Sequence, residues 1–118
     1  MLGRLLGLFK KRGGVRVPGA DQLAEGEART VDIGDPFAGG KQVLLCRVAG
    51  RVYGLETECP HEGGRLAKGP LADGKYAVCP LHNYRFDPRD GSAVGVTCRS
   101  ARTVRVEERD GELELFLR

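Results

Sequence analysis

The chain has 118 residues, nineteen basic and sixteen acidic side chains for a net charge of +3, and eighteen glycines but no tryptophan. A chain of this size makes one domain that buries roughly two-thirds of its unfolded surface. The scarcity of long apolar runs excludes a bilayer-spanning helix, and the glycine content points to short strands joined by tight turns.

Residues 1–12 place Leu2, Leu5, Leu6 and Phe9 at i, i+3, i+4 and i+7, one face of a helix, with Arg4, Lys10, Lys11 and Arg12 beside or after it. A basic amphipathic segment of this kind suits docking to a membrane surface or an acidic partner. Against docking, Gly3 and Gly7 each weaken a helix by about 1 kcal/mol, which favours a terminus whose leucines pack on the domain. The same interruptions rule out a standard secretory segment, and a cytoplasmic location is the expectation. Gly13-Gly14 closes this segment, 1–14, and leaves 15–118 as the domain.

From Val15 the alternation is strand-like. Val15 and Val17 precede a polar turn at Pro18-Gly19-Ala20-Asp21, a second strand runs through Thr30-Val31-Asp32-Ile33, and Asp35-Pro36-Phe37 with Gly39-Gly40 breaks the pattern. Residues 42–48 and 51–55 flank Ala49-Gly50 at the spacing of a two-residue hairpin loop, and that hairpin leads towards Cys59. Ala72-Asp73-Gly74-Lys75 turns the chain again, and residues 75–78 form the strand that delivers Cys79. Residues 103–108 and 112–117 alternate around Asp110-Gly111, with Val104, Val106, Leu113, Leu115 and Leu117 facing inward. The predicted fold is all-β, an antiparallel β-sandwich or small barrel, with residues 57–91 standing on it as an inserted lobe.

That lobe carries the distinctive chemistry. Cys59-Pro60-His61 and Cys79-Pro80-Leu81-His82 lie seventeen residues apart and contain both histidines of the chain. A proline after each cysteine stiffens its loop by fixing φ. The motif therefore supplies two thiolates and two imidazoles, soft-to-borderline metal ligands in two matched pairs. A structural zinc site usually groups Cys with Cys and His with His. One of each per loop suits a two-metal cluster instead, because each loop lends its Cys to one metal and its His to the other. Zinc held by the same four side chains is the alternative. A third reading, inert core cysteines beside buried histidines, gives no reason for the matched offsets. Cys46 and Cys98 sit in strand-like stretches without a nearby histidine and read as small core or strand residues.

Together with Asn83-Tyr84-Arg85-Phe86-Asp87 and the turn at Asp90-Gly91, the motif resembles that of the Rieske iron–sulfur proteins, in particular the soluble Rieske ferredoxins. The resemblance implies one [2Fe–2S] cluster per chain, with Cys59 and Cys79 on one iron and His61 and His82 on the other. It implies a one-electron carrier between a reductase and a terminal oxygenase. The Rieske small subunit of an assimilatory nitrite reductase, with a large catalytic subunit as partner, is the alternative, and a zinc-binding interaction module is a third. No catalytic residue is expected: the chain has no further histidine, no nucleotide-binding glycine fingerprint and no facial triad for mononuclear iron.

Replacing two thiolates by neutral imidazoles eases electron uptake and lifts the potential to about −150 to +300 mV, against about −400 mV for plant-type ferredoxins. In respiratory-chain Rieske proteins an extra cysteine in each loop forms a disulfide, and a Ser and a Tyr donate hydrogen bonds at the cluster. The matching positions here are Gly64, Leu81, Tyr84 and Phe86. With those devices missing, the low end of the range is expected, and backbone N–H groups of Gly63, Gly64 and the second loop are the expected remaining donors. Glu62, next to His61, either depresses the potential or offers a partner a charged handle; a solvated loop carboxylate is the plainer reading. Asn83 stands where related ferredoxins often have Gly and tolerates φ > 0, and Asp87 is expected to anchor the second loop by local backbone hydrogen bonds. Arg99, Arg102 and Arg105, with no aromatic residue among them, read as a solvated strand face and not as a nucleic-acid groove.

Overall fold

Ten strands and one turn of 3₁₀ helix make up the regular structure in the computed structural model, which describes residues 14–34, 40–60 and 64–117. In chain order these are β1 (Gly14–Pro18), the 3₁₀ turn (Ala20–Gln22), β2 (Glu27–Ile33), β3 (Lys41–Val48), β4 (Arg51–Glu56), β5 (Gly69–Pro70), β6 (Ala77–Cys79), β7 (Tyr84–Phe86), β8 (Ala93–Val94), β9 (Thr103–Arg109) and β10 (Glu112–Phe116). A seven-stranded antiparallel sheet runs β1-β10-β9-β4-β3-β2-β5, and a three-stranded one runs β6-β7-β8. The expected N-terminal helix, the break at Asp35-Pro36-Phe37, His61, Glu62 and Gly63 lie outside the described residues. Among the described residues no helix is long and apolar enough to cross a membrane.

Strand β3 explains the layout. Val43, Leu44, Leu45 and Cys46 are all fully buried, which a strand with one solvated face cannot achieve, because successive side chains point to opposite faces. The alternation divides them: Val43 and Leu45 enter one apolar cluster with Val17, Val52, Val104, Val106, Leu113 and Leu115, while Leu44 and Cys46 enter another with Leu55, Leu66, Ala77, Phe86 and Ala101. The first cluster fills the curl of the large sheet. The second lies between that sheet and the lobe.

Both expected two-residue hairpins are present. Ala49 (φ 53°) and Gly50 (φ 79°) join β3 to β4, and Asp110 (φ 50°) and Gly111 (φ 78°) join β9 to β10; two consecutive positive φ values give the turn whose twist matches paired strands. The inward face of the last hairpin is as expected, with Leu117 partly buried against it. Strand β2 starts at Glu27, three residues before the predicted Thr30, because Ala28 pairs with Cys46 on one side and Gly69 on the other. The two- and three-residue strands β5, β7 and β8 are too short to show a period in sequence. Cys98 lies outside any strand, half-buried against the second cluster, and of the three arginines read as a strand face only Arg105 is on a strand.

The lobe enters and leaves at one place. β4 pairs with β9 (Gly54↔Val104, Leu55↔Thr103), and the Glu56 N–H donates to the Arg102 carbonyl at 2.8 Å. Its packing continues past Gly91 to the buried Ala101, whose N–H donates to the Gly91 carbonyl at 2.7 Å.

Candidate metal centre

The second ligand pair is built on the hairpin of β6 and β7. Cys79 closes β6 opposite Tyr84, and Pro80, Leu81, His82 and Asn83 turn the chain, with Asn83 at φ 57° as its side chain permits. The first pair begins just after β4. An isolated bridge pairs Glu58 with Arg65, the Cys59 N–H donates to the Gly64 carbonyl at 2.7 Å, and the Leu66 N–H donates to the Thr57 carbonyl at 2.8 Å. The 59–64 excursion is thus pinned at its neck. The Ala67 N–H donates to the Val78 carbonyl at 2.8 Å, which ties this neck to β6 and brings the two loops together.

Gly64 is the point of contact. A Cβ there would lie 2.7 Å from Cys79 Sγ and 3.3 Å from Leu81 Cβ, so only glycine seats that sulfur without a shift. The second distance is a little shorter than the Cβ separation of a disulfide, about 3.5–4.5 Å. Gly64 and Leu81, the positions expected to match the extra cysteines, therefore lie against each other, and here one is bare and the other is leucine.

Depth orders the donor set. Cys79 is 0% and Cys59 2% exposed, both within the apolar cluster beneath the lobe, whereas His82 is exposed on the turn with Leu81, itself 50% exposed. None of the four cysteines is in a disulfide. His82 lies 6.3 Å from the Tyr84 ring, centroid to centroid. Among the described residues no three His, Cys, Asp or Glu side chains form a group that could hold a metal ion; His61 lies outside them. Buried thiols at one end, an imidazole at the open end and a space that a Cβ would fill together fit a group that takes soft donors below and nitrogen above.

The surrounding polar contacts hold the loops in place. Asp87 accepts from the Arg89 N–H at 2.9 Å and from its guanidinium at 2.7 and 3.0 Å, which keeps the carboxyl below its ordinary pKa. Asp90 is lowered likewise by the Ser92 N–H and hydroxyl. The local bonds expected of Asp87 are made, with a bidentate ion pair to Arg89 that sequence reasoning had not included, but they fix the turn 87–92 after β7 and not the second ligand loop itself. Sequence reasoning also missed Arg99, whose guanidinium donates to the Pro60 carbonyl at 3.3 Å across 39 residues of chain. Buried Thr57 receives Arg65 at 3.3 Å. Cys46 is remote from the loops in role: burial pushes its thiol pKa up to about 12, as suits an inert core residue.

A short all-β domain with two buried thiols beneath an exposed histidine has the build of a small metal-centre protein. A family model described as Rieske [2Fe-2S] domain matches residues 14–108, and the chain belongs to that family, which binds one [2Fe–2S] cluster per domain. The ferredoxin component of the naphthalene 1,2-dioxygenase/salicylate 5-hydroxylase systems of a Ralstonia species is 34% identical over 74 residues, 63% of this chain. The chain spans 65% of that relative's length and 52% or less of several others. Among solved structures, the ferredoxin of carbazole 1,9a-dioxygenase from Nocardioides aromaticivorans IC177 has a TM-score of 0.72 at 28% identity, covering 87% of this chain and 96% of that one. A putative NADH-dependent nitrite reductase small subunit from Mycobacterium tuberculosis shares the fold, with a TM-score of 0.64 at 21% identity over 88% of this chain and 96% of its own.

Proposed function

We propose that Cys59, His61, Cys79 and His82 hold a [2Fe–2S] cluster, and that the protein is a Rieske-type ferredoxin, a cytoplasmic one-electron carrier from a reductase to a terminal oxygenase. The observation that carries this reading is the polarity of the site: both thiols are sunk in the core and His82 is exposed beside Leu81. When bound, the cluster supplies a centre that gains and loses one electron without any covalent change in a substrate. The thiolates of Cys59 and Cys79 anchor its inner side, where Leu66, Ala77 and Phe86 exclude water. His61 and His82 would supply the two nitrogen ligands, and the exposed imidazole of His82 would shorten the path to a docked protein. The likeness to dioxygenase ferredoxin components supports the oxygenase as acceptor. The nitrite reductase alternative rests on a likeness of fold, and stable co-purification with a large catalytic chain is the result that would favour it.

The test is visible absorption and low-temperature electron paramagnetic resonance of anaerobically purified protein before and after dithionite, with iron and zinc counted on the same sample. A brown protein with two irons per chain and a rhombic signal of low average g on reduction is expected. A colourless protein with one zinc, unchanged by reconstitution with iron and sulfide, would overturn the proposal.

A further inference from the structure

On the outer face of the large sheet, lined by none of Cys59, Cys79 and His82, a groove of about 520 Å³ runs between β4, β9 and β10 and the turn that follows β7. Arg51, Arg89, Arg105, Tyr53 and Phe116 line it over the buried Pro88, and among the described residues no acidic side chain lines it, the nearest to Arg105 being Glu107. The strand register builds this arrangement. Arg105 is paired with Phe116, and its guanidinium lies 4.0 Å from the centre of that ring; continuing the β4–β9 register places Tyr53 opposite Arg105 on the other side. Arg51 lies over Tyr53 at 5.6 Å.

The cations differ in what already satisfies them. Arg89 is taken by Asp87 in the bidentate pair. Arg105 reaches Glu107 only at 3.7 Å, with its side chain 67% exposed. Arg51 has an aromatic ring and no carboxylate within ion-pair distance among the described residues. A guanidinium laid flat on a ring is held in place with its N–H edge still open, which is the form that grips a carboxylate with two hydrogen bonds.

We infer that this groove is a docking surface for an acidic segment of a protein partner, its carboxylates on Arg51 and Arg105. Charge selects this occupant. The chain's own residues 1–13, which precede Gly14 opposite Phe116, hold Arg4, Lys10, Lys11 and Arg12 and no acidic residue, so like charge opposes them. A second copy is the weaker occupant because two carboxylates of the β9–β10 hairpin are already engaged within the chain, Glu107 between Arg105 and Arg109 and Glu108 by Arg47. Nucleic acid is disfavoured because a guanidinium lies over each ring, where a base would stack. The surface shares no residue with the ligand loops, and the inference stands whether or not the cluster assignment holds.

The test is an NMR titration of the ¹⁵N-labelled holo-protein with a short glutamate-rich peptide. Shifts are expected at the amides of 51–54, 103–106 and 116, with binding weakened about tenfold by Arg51→Glu with Arg105→Glu and also weakened by added salt. Arg51→Gln with Arg105→Gln, which removes the cations without introducing repulsion, is expected to weaken binding by a smaller factor, with unchanged spectral dispersion showing that the fold is kept. Equal binding of the corresponding lysine peptide, shifts confined to other surfaces, or affinity indifferent to either double substitution would overturn the proposal. So would an absence of peptide binding with a single-stranded oligonucleotide shifting these amides.

Discussion

At Gly64 one methyl group decides how the two ligand loops meet. Gly64→Ala puts a carbon 2.7 Å from Cys79 Sγ, so the loops must part, and the expected result is a severalfold loss of iron per chain in the purified protein. Asp87 gives a prediction in pH. Its folded pKa lies below the ordinary carboxylate value, chiefly because of the hydrogen bond from Arg89, so its contribution is complete above that ordinary value and disappears as pH falls through the depressed one. Asp87→Asn is therefore expected to melt below the parent protein at neutral pH, with the gap closing below about pH 4. The candidate ligands were legible because their residue types are rare in this chain and their offsets match. The seat that Gly64 makes for Cys79 and the reach of Arg99 to Pro60 were not, since each joins residues far apart in sequence, and no local pattern announces a long-range contact.

Among the strands, β3 carries a second device besides its two buried faces. Arg47, with a side chain 13% exposed, donates to the carbonyls of Leu23 at 2.5 Å, Ala20 at 2.7 Å and Gly50 at 3.0 Å, and meets the Glu108 carboxylate at 3.2 Å. One side chain thereby joins the 3₁₀ turn, the β3–β4 hairpin and the end of β9. Glu25 completes the hairpin by accepting from the Ala49 and Gly50 N–H groups at 2.6 and 2.7 Å. Arg47→Met keeps the stem but takes the donor from the Leu23 and Gly50 carbonyls and from a carboxylate that is one-third exposed, while the Ala20 carbonyl still accepts from the Leu23 N–H; a loss of about 2 kcal/mol is expected in chemical denaturation. The hairpins at Ala49-Gly50 and Asp110-Gly111 could be read directly, because turn chemistry is local. The Val43–Cys46 run marked β3 as a strand without showing that it has a core on each side, since that depends on the lobe folding back.

For the whole molecule, the division of the core sets what depends on metal. The cluster inside the curl of the large sheet contains no residue between Val52 and Val104, whereas Cys59 and Cys79 are embedded in the other cluster. Iron-stripped protein is therefore expected to keep slow amide exchange in β9 and β10 while β6, β7 and β8 exchange rapidly. Equal protection of both sheets would show that the two cores do not separate. The all-β class and the inserted lobe were legible from turn spacing and motif position, whereas the sheet order was not, because β1 pairs with β10 from the opposite end of the chain.

The hydrogen bond from Glu56 to Arg102 at the base of the lobe has a consequence for ancestry and engineering. Everything between those residues amounts to an enlarged loop on the β4–β9 hairpin, so the redox half is a cassette. A short turn in its place would keep the order β1-β10-β9-β4-β3-β2, lose β5 from the edge beside β2, and uncover Leu44, Cys46 and Leu55, so a replacement must bring its own cover for that face. A different cassette on the same two stems would make a carrier of another potential from an unchanged chassis.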